Sequence, residues 1–280
     1  MRAGSSVAWF GKRLAVVQDD ANFVALIDGS SCRAITLPSG RGGKRQFDDV
    51  RGNKKDKLDL EASVVLGGKL HAFGSGSLVG RDRVLRVDAT GVPSVIAAPR
   101  LYAALAARTD FSGSELNVEG ALAIGDDLWF FNRGNGAPRG ELRPVDATVR
   151  TTVNEILRYL HDEARAPVPV LEDVTIYDLG SVGGCRLTFT DATFAFGRSV
   201  YLAAAEDSPD VTRDGPVTGV AIGFLDDEPR YALVLAEDGA PLCDKLEGIA
   251  PGEDGRTLLA VVDKDDPGAP SEVIELEVTF

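Results

Sequence analysis

Short apolar runs, bounded by Gly, Pro, Asp and Asn, recur along the whole chain, and five stretches share one scheme. Each has a polar residue, a small residue, an apolar run, a Gly or charged turn, and a second apolar run. They read GSSVAWFGKRLAVVQDD from Gly4, DLEASVVLGGKLHAFGSGS from Asp59, NVEGALAIGDDLWFFNRGN from Asn117, FTDATFAFGRSVYLAAAEDS from Phe189 and KLEGIAPGEDGRTLLAVVDKDD from Lys245. Aligned on these cores, one column holds Ser5, Glu61, Glu119, Asp191 and Glu247, at steps of 56, 58, 72 and 56 residues. Repeats of about 40 to 50 residues with several short strands each are the mark of a β-propeller, one blade per repeat. The expected fold is all-β, a five-bladed β-propeller with a central metal-binding channel.

The repeats run nearly end to end, so residues 1–280 read as one domain, with blades at about 4–38, 58–98, 116–180, 187–236 and 244–280. The stretch LYAALAAR fits a two-turn helix. Val153, Ile156, Leu157 and Leu160 also fit a helix face, but the repeat register predicts a strand over EILRYLH. Blade 5 ends after three strands and blade 1 starts at once with its innermost strand. Ring closure then rests on packing between blades, not on a strand lent by the other terminus.

Composition narrows the partners. A formal net charge of −13 and a pI near 4.7 repel phosphate backbones and anionic membranes, so neither nucleic acid nor a membrane is an expected partner. The N-terminus lacks a basic segment followed by an apolar one, which leads to an expectation of a cytoplasmic protein, a processed exported form aside. Cys32, Cys185 and Cys243 stand at unrelated spacings without a CxxC pair, and read as buried structural thiols. Of the two histidines, His71 is expected in blade packing and His161 at the surface.

Propeller geometry places the start of each innermost strand on the same face as the tip after its second strand. The column therefore meets the polar tips Asp19, Asp20, Asn132, Arg133, Asn135, Glu206 and Asp263. Alternation along a strand turns Asp59, Asn117 and Lys245 the same way as the column residue two positions on. Converging carboxylates repel, by roughly 4 kcal/mol for a pair 4 Å apart at an effective dielectric of 20, so a cation, protons or Lys245 must offset them. All-oxygen ligands suit Ca²⁺, with Mg²⁺ as the alternative. The bland counterpart is an acidic rim that only caps the channel through backbone and water hydrogen bonds.

The segments KLDLEA, LNVEGA, NRGN, TDAT, AEDS and KLEGI resemble a bacterial β-propeller family related to phytase-associated esterase-like domains. More distantly, the chain is similar to the calcium-activated nucleotidases, five-bladed apyrases with an axial Ca²⁺ held by Ser and Glu of the inner strands. That resemblance implies Ser5, Glu61, Glu119 and Glu247 as metal ligands, with Asp191 where that family tends to place a hydroxyl.

The leading expectation is a Ca²⁺-dependent hydrolase of a small phosphate or ester. Arg133 and Lys245 hold the substrate anion, Asp263 or Glu206 serves as general base, and Lys57, Asn132, Asn135, Asp19 and Asp20 line the substrate. Arg133, on a loop tip, is expected to be exposed and to matter little for folding. The alternatives are a non-catalytic scaffold propeller with a structural axial ion, and a lactonase of the six-bladed gluconolactonase or paraoxonase type, which blade count separates.

Overall fold

A computed structural model describes residues 1–207, 215–225, 230–264, 266 and 268–279. Among them five separate antiparallel sheets follow one another along the chain. Blade 1 is β1 (Gly4–Phe10), β2 (Arg13–Gln18), β3 (Phe23–Asp28) and β4 (Ser31–Thr36). Blade 2 is β5 (Leu60–Leu66), β6 (Lys69–Gly74), β7 (Arg83–Val87) and β8 (Pro93–Ala97), followed by helices α1 (Pro99–Ala107) and α2 (Thr109–Ser112). Blade 3 is β9 (Val118–Ile124), β10 (Asp127–Asn132), β11 (Asp146–Thr152) and β12 (Glu172–Tyr177), with α3 (Val153–His161) between its last two strands. Blade 4 has a short strand, β13 (Ser181–Val182), beside the start of its innermost strand, and then β14 (Cys185–Ala195), β15 (Arg198–Glu206), β16 (Val217–Phe224) and β17 (Arg230–Leu233). Blade 5 has three strands, β18 (Lys245–Pro251), β19 (Thr257–Asp263) and β20 (Glu272–Glu277).

The fold is thus an all-β five-bladed propeller, as the repeats predict. One reading changes: EILRYLH lies in α3, not in a strand. Thr152 caps this helix, its hydroxyl accepting from the Glu155 amide at 3.2 Å, and a Thr and a Glu three residues apart form the start signal of a helix. Ile156, Tyr159 and Leu160 bury its apolar face, and the strand that the repeat requires is DATVRTT, just before it. LYAALAAR does form most of α1.

Five apolar clusters hold the ring, one between each pair of neighbouring blades. That between blades 5 and 1 joins Ala250 and Val261 to Val7, Leu14, Val16 and Ala25. Blade 5 gains no strand from the N-terminus, which is instead tied to it by hydrogen bonds. The Gly4 amide donates to Ser271 Oγ at 2.8 Å, the Ser271 amide to the Met1 carbonyl at 3.2 Å, and Trp9 Nε1 to the Pro251 carbonyl at 2.7 Å. His71 is fully buried and His161 is exposed, as expected, but the thiols are not buried: Cys32 and Cys243 are exposed and Cys185 is half-buried, each in or beside an outer segment or strand start.

At Gly248 the neighbouring inner strand leaves no room for a side chain. A Cβ on Gly248 would stand 2.9 Å from Ser6 Cα and from the Val7 amide nitrogen, closer than carbon contacts allow. Gly248→Ala is therefore expected to cost about 1–3 kcal/mol through forced backbone displacement, read as a lower urea midpoint with an unchanged slope.

Candidate functional site

All five innermost strands carry a β-bulge near their start. In the pairing with the second strand, Gly4 and Ser6 face Gln18 and Val17, leaving Ser5 as the extra residue. The same count leaves Glu61 over in blade 2, Glu119 in blade 3, Thr190 in blade 4 and Glu247 in blade 5. A bulge re-aims its residues and recurs at functional rims, and these five residues hold equivalent positions at the starts of the innermost strands. Blade 4 differs from the sequence alignment by one position: Thr190, not Asp191, is equivalent to the other four. The sequence signal for this is the apolar residue before each of the later bulges, Leu60, Val118, Phe189 and Leu246.

Asp191 sits one step further down the channel, level with Ser6, Ala62, Gly120 and Gly248. Its Oδ2 accepts from the Ile249 amide at 3.0 Å and from Ser6 Oγ at 3.4 Å, and Ser6 Oγ lies 2.8 Å from Ser63 Oγ. This chain ties blades 4, 5, 1 and 2 together across the point where the chain ends meet. Burial raises the Asp191 carboxyl well above the usual range, against the hydrogen bonds that favour its ionised form.

The residues two positions before the bulges point the same way, as alternation predicts. Asn117 Nδ2 donates to Glu119 Oε1 at 2.7 Å, Lys245 Nζ lies 3.0 Å from Glu247 Oε1, and Thr188 Oγ1 accepts from Arg133 Nε at 3.1 Å. Asp59, Asp19 and Glu61 bring carboxylate oxygens within 4.8 Å of one another. Asp59 holds a left-handed backbone, φ 57°, a strained conformation that its neighbours must maintain.

Arg133 corrects the expectation of an exposed anion holder. Its side chain is only 4% exposed, and its Nη2 donates to Glu206 Oε2 at 2.7 Å, while its Nη1 lies 3.7 Å from Glu119 and 3.9 Å from Glu247. The tip after β10 turns inward, and the guanidinium stands among three carboxylates from three blades. Glu206 is correspondingly committed: Arg133 engages one oxygen, and the Gly215 amide donates to the other at 2.8 Å. Asp263 pairs with Lys245 in the β18–β19 ladder.

Lys57 is likewise internal. It is buried and bonds Asp19 and, at 2.6 Å, Asp59, while Arg81 holds the other Asp59 oxygen at 2.8 Å together with Ser75. Burial opposes its charge, but Asp19, Asp59 and Glu61 outweigh that, and its pKa is raised. Arg2 pairs with Asp20 at 2.5 Å and with Asp48 at 3.2 Å. Asn132 is structural, accepting from the Asn117 amide at 2.8 Å and donating to the Val145 carbonyl at 2.9 Å, and Asn135 accepts from Asn117 at 3.3 Å.

Among the described residues of this face, carboxylates (Asp19, Asp20, Asp48, Asp59, Glu61, Glu119, Glu206, Glu247) outnumber the cations that pair with them (Arg2, Lys57, Arg81, Arg133, Lys245). Burial first, and neighbouring carboxylates after it, raise several of these carboxyls. Burial lifts Glu61 well above the usual range, with Asp19, Asp59 and Glu119 adding to it. Burial also lifts Glu119 to about 8, despite Arg133. Asp59 runs the other way, since Lys57 and Arg81 more than offset its burial.

Asp146 supports the site from behind. Its Oδ1 accepts from the Gly134 amide at 3.0 Å and from the Phe189 amide at 2.9 Å, so it fixes the Arg133 loop against the strand that carries Thr190. Burial pushes its carboxyl up to about 6. A carboxyl raised on folding stabilises fully below its unfolded pKa and loses that contribution as pH rises through its folded one. Wild-type stability should carry such a loss between pH 4 and 6, and Asp146→Asn should flatten that part of a melting-temperature profile.

These observations define a five-bladed β-propeller with a charged, bulge-built axial mouth. The chain belongs to a family of unknown function (DUF6929), whose model matches residues 1–278. No curated protein matches it. Among solved structures it is similar to an α-L-arabinofuranosidase from Clostridium thermocellum ATCC 27405, at 9% identity and TM-score 0.53, over 99% of this chain and 90% of that one. It is also similar to a gluconolactonase from Xanthomonas campestris, at 10% identity and TM-score 0.50, over 99% of this chain and 87% of that one. At such identities the likeness is one of fold. It carries no link to phytase-associated domains or to nucleotidases.

Proposed function

We propose that the bulge ring binds a divalent cation, Ca²⁺ by its ligand chemistry, through Ser5, Glu61, Glu119, Thr190 and Glu247, and that the protein hydrolyses a small ester or lactone there. The observation that carries this reading is Thr190: its hydroxyl is wholly buried, has no hydrogen-bond partner among the described residues, and belongs to the bulge residue of blade 4, the blade between those of Glu119 and Glu247. A buried hydroxyl without a partner is costly, and an all-oxygen set of three carboxylates and two hydroxyls suits a hard cation. Such an ion supplies polarisation of a carbonyl and acidification of a bound water. The residues of the chain bind and orient: Asn117 fixes Glu119, and Lys245 fixes Glu247.

One observation favours a second reading, a scaffold without an ion. Arg133 already lies within 4 Å of both Glu119 and Glu247 and acts as a built-in cation between them. Phosphate esters fit neither reading well, since Arg133, Lys245 and Lys57 are all engaged by carboxylates. The test is a panel of small esters, lactones and phosphate esters assayed with Ca²⁺ and with chelator. Hydrolysis of an ester or lactone that stops on chelation and in Glu61→Gln supports the proposal. Tight Ca²⁺ binding with no turnover of any class leaves a scaffold with a structural ion, and no Ca²⁺ binding at all leaves the scaffold without one.

A further inference from the structure

We propose that the outer edge of blade 1 docks an extended, acidic peptide segment of another protein, which adds to β4 as a further strand. The site lies on the rim of the propeller and is independent of the axial mouth and its chemistry.

Outer edges leave backbone groups unpaired, and proteins usually blunt them with proline, bulges, charges or short strands. Here β8 opens with Pro93, the β12 ladder is broken between Thr148 and Arg150, β17 spans only Arg230–Leu233, and β20 carries Glu272, Glu275 and Glu277. The β4 edge has none of these devices. It pairs with β3 without a break from Phe23–Thr36 to Asp28–Ser31 and contains neither proline nor an acid. The Leu37 amide donates to the Asn22 carbonyl at 3.1 Å, which fixes the parity of the ladder, so Arg33 and Ile35 turn their backbone groups towards β3. Cys32, Ala34 and Thr36 turn theirs outward.

Beside this edge an open cleft of about 280 Å³ lies between blade 1 and the β7–β8 turn of blade 2, lined by Arg33, Ile35, Thr36, Thr90, Gly91 and Pro93. Ile35 belongs to the apolar cluster between blades 1 and 2, and alternation turns Arg33 to the same side. The Arg33 guanidinium is exposed and, among the described residues, makes no hydrogen bond or ion pair. Asp88, on the facing turn, spends Oδ1 on the amides of Thr90 and Val92. The cleft side of an unpaired strand edge thus offers an apolar step next to an uncommitted cation.

An incoming antiparallel strand answers all three features. Its main chain meets the outward groups of Ala34 and Thr36, and on the cleft side it sets an apolar side chain opposite Ile35 and, two residues later, a carboxylate opposite Arg33. A second copy of this chain fits less well, because pairing β4 with β4 brings another arginine and no carboxylate, and joins two molecules of net charge −13.

The probe is a capped, fluorescently labelled peptide STVTETS, titrated with the full chain and compared with its glutamate-to-lysine counterpart. The glutamate peptide should bind saturably, and the lysine peptide at least roughly tenfold more weakly. Arg33→Glu should reverse that preference. Ala34→Pro should abolish binding without unfolding the blade, since it removes an amide that faces outward from an edge strand. In the wild-type protein, hydrogen exchange at the Ala34 and Thr36 amides should slow on adding the peptide, a readout that needs no variant. No saturable binding up to about 1 mM, equal affinity for the two peptides, or exchange at Ala34 and Thr36 unaffected by bound peptide overturns the proposal. A concentration-dependent dimer that is lost in Ala34→Pro also overturns it, by making the occupant a second copy.

Discussion

Arg133→Met should be the most damaging single substitution at the mouth, at about 3–5 kcal/mol, because it leaves Glu206, Glu119 and Glu247 buried around a lost charge. Methionine keeps much of the volume and the stem, so the loss reports the guanidinium and not a cavity. For a chain of this size the melting temperature should fall by on the order of 10 °C. The damage should also be conditional. Lower pH neutralises the stranded carboxylates and should restore part of the loss, and Ca²⁺ should raise the melting temperature of the variant more than that of the wild type. An Arg133→Met protein that melts with the wild type would mean that the side chain lies in solvent.

The second large effect is stabilisation by the cation itself. A ligand bound only by the folded state adds RT ln(1 + [L]/Kd), roughly 2.7 kcal/mol at a hundredfold excess over Kd. Glu119→Gln and Glu247→Gln should each remove most of that gain by taking away a charged ligand. Thr190→Val is the more telling variant, since it deletes a hydroxyl that bonds nothing within the protein and keeps the shape of the side chain. Without Ca²⁺ it should be neutral or stabilising by up to about 1 kcal/mol, because a buried unsatisfied group is gone. With Ca²⁺ it should be the less stable protein. Thermal melts of both proteins with and without chelator read the crossover, and parallel curves in both conditions would remove Thr190 from the ring.

Much of the fold is legible in the sequence because the repeating unit is a hairpin of two apolar runs, and this pattern survives large changes in blade length. The 72-residue step before Asp191 still falls within one blade, with α3 and a long connection absorbed between strands. The helix was the harder element. Its apolar spacing and its Thr152–Glu155 cap were both visible, but they competed with a repeat register that DATVRTT satisfies without it.

The candidate site is legible to within one residue. Matching acid to acid selects Asp191, whereas the backbone counts from the apolar residue before the bulge and selects Thr190. The charges around it are less legible. Whether Arg133 or Lys57 faces solvent depends on which carboxylates other blades bring to it, Glu206 from blade 4 for one and Asp19 from blade 1 for the other. Nothing in the local sequence of either residue records that pairing. The expectation of an exposed Arg133 failed for this reason, since its guanidinium is buried against Glu206.

The central claim is that five bulges build a cation site on the axis, and anomalous diffraction from crystals grown with Ca²⁺, or with Mn²⁺ in its place, tests it most directly. The account predicts one peak on the axis, about 2.3–2.6 Å for Ca²⁺ from oxygens of Glu61, Glu119 and Glu247 and from the hydroxyls of Ser5 and Thr190, with Arg133 still on Glu206. No axial peak at saturating metal, with Arg133 bridging Glu119 and Glu247 and the Thr190 hydroxyl still unpartnered, would contradict it.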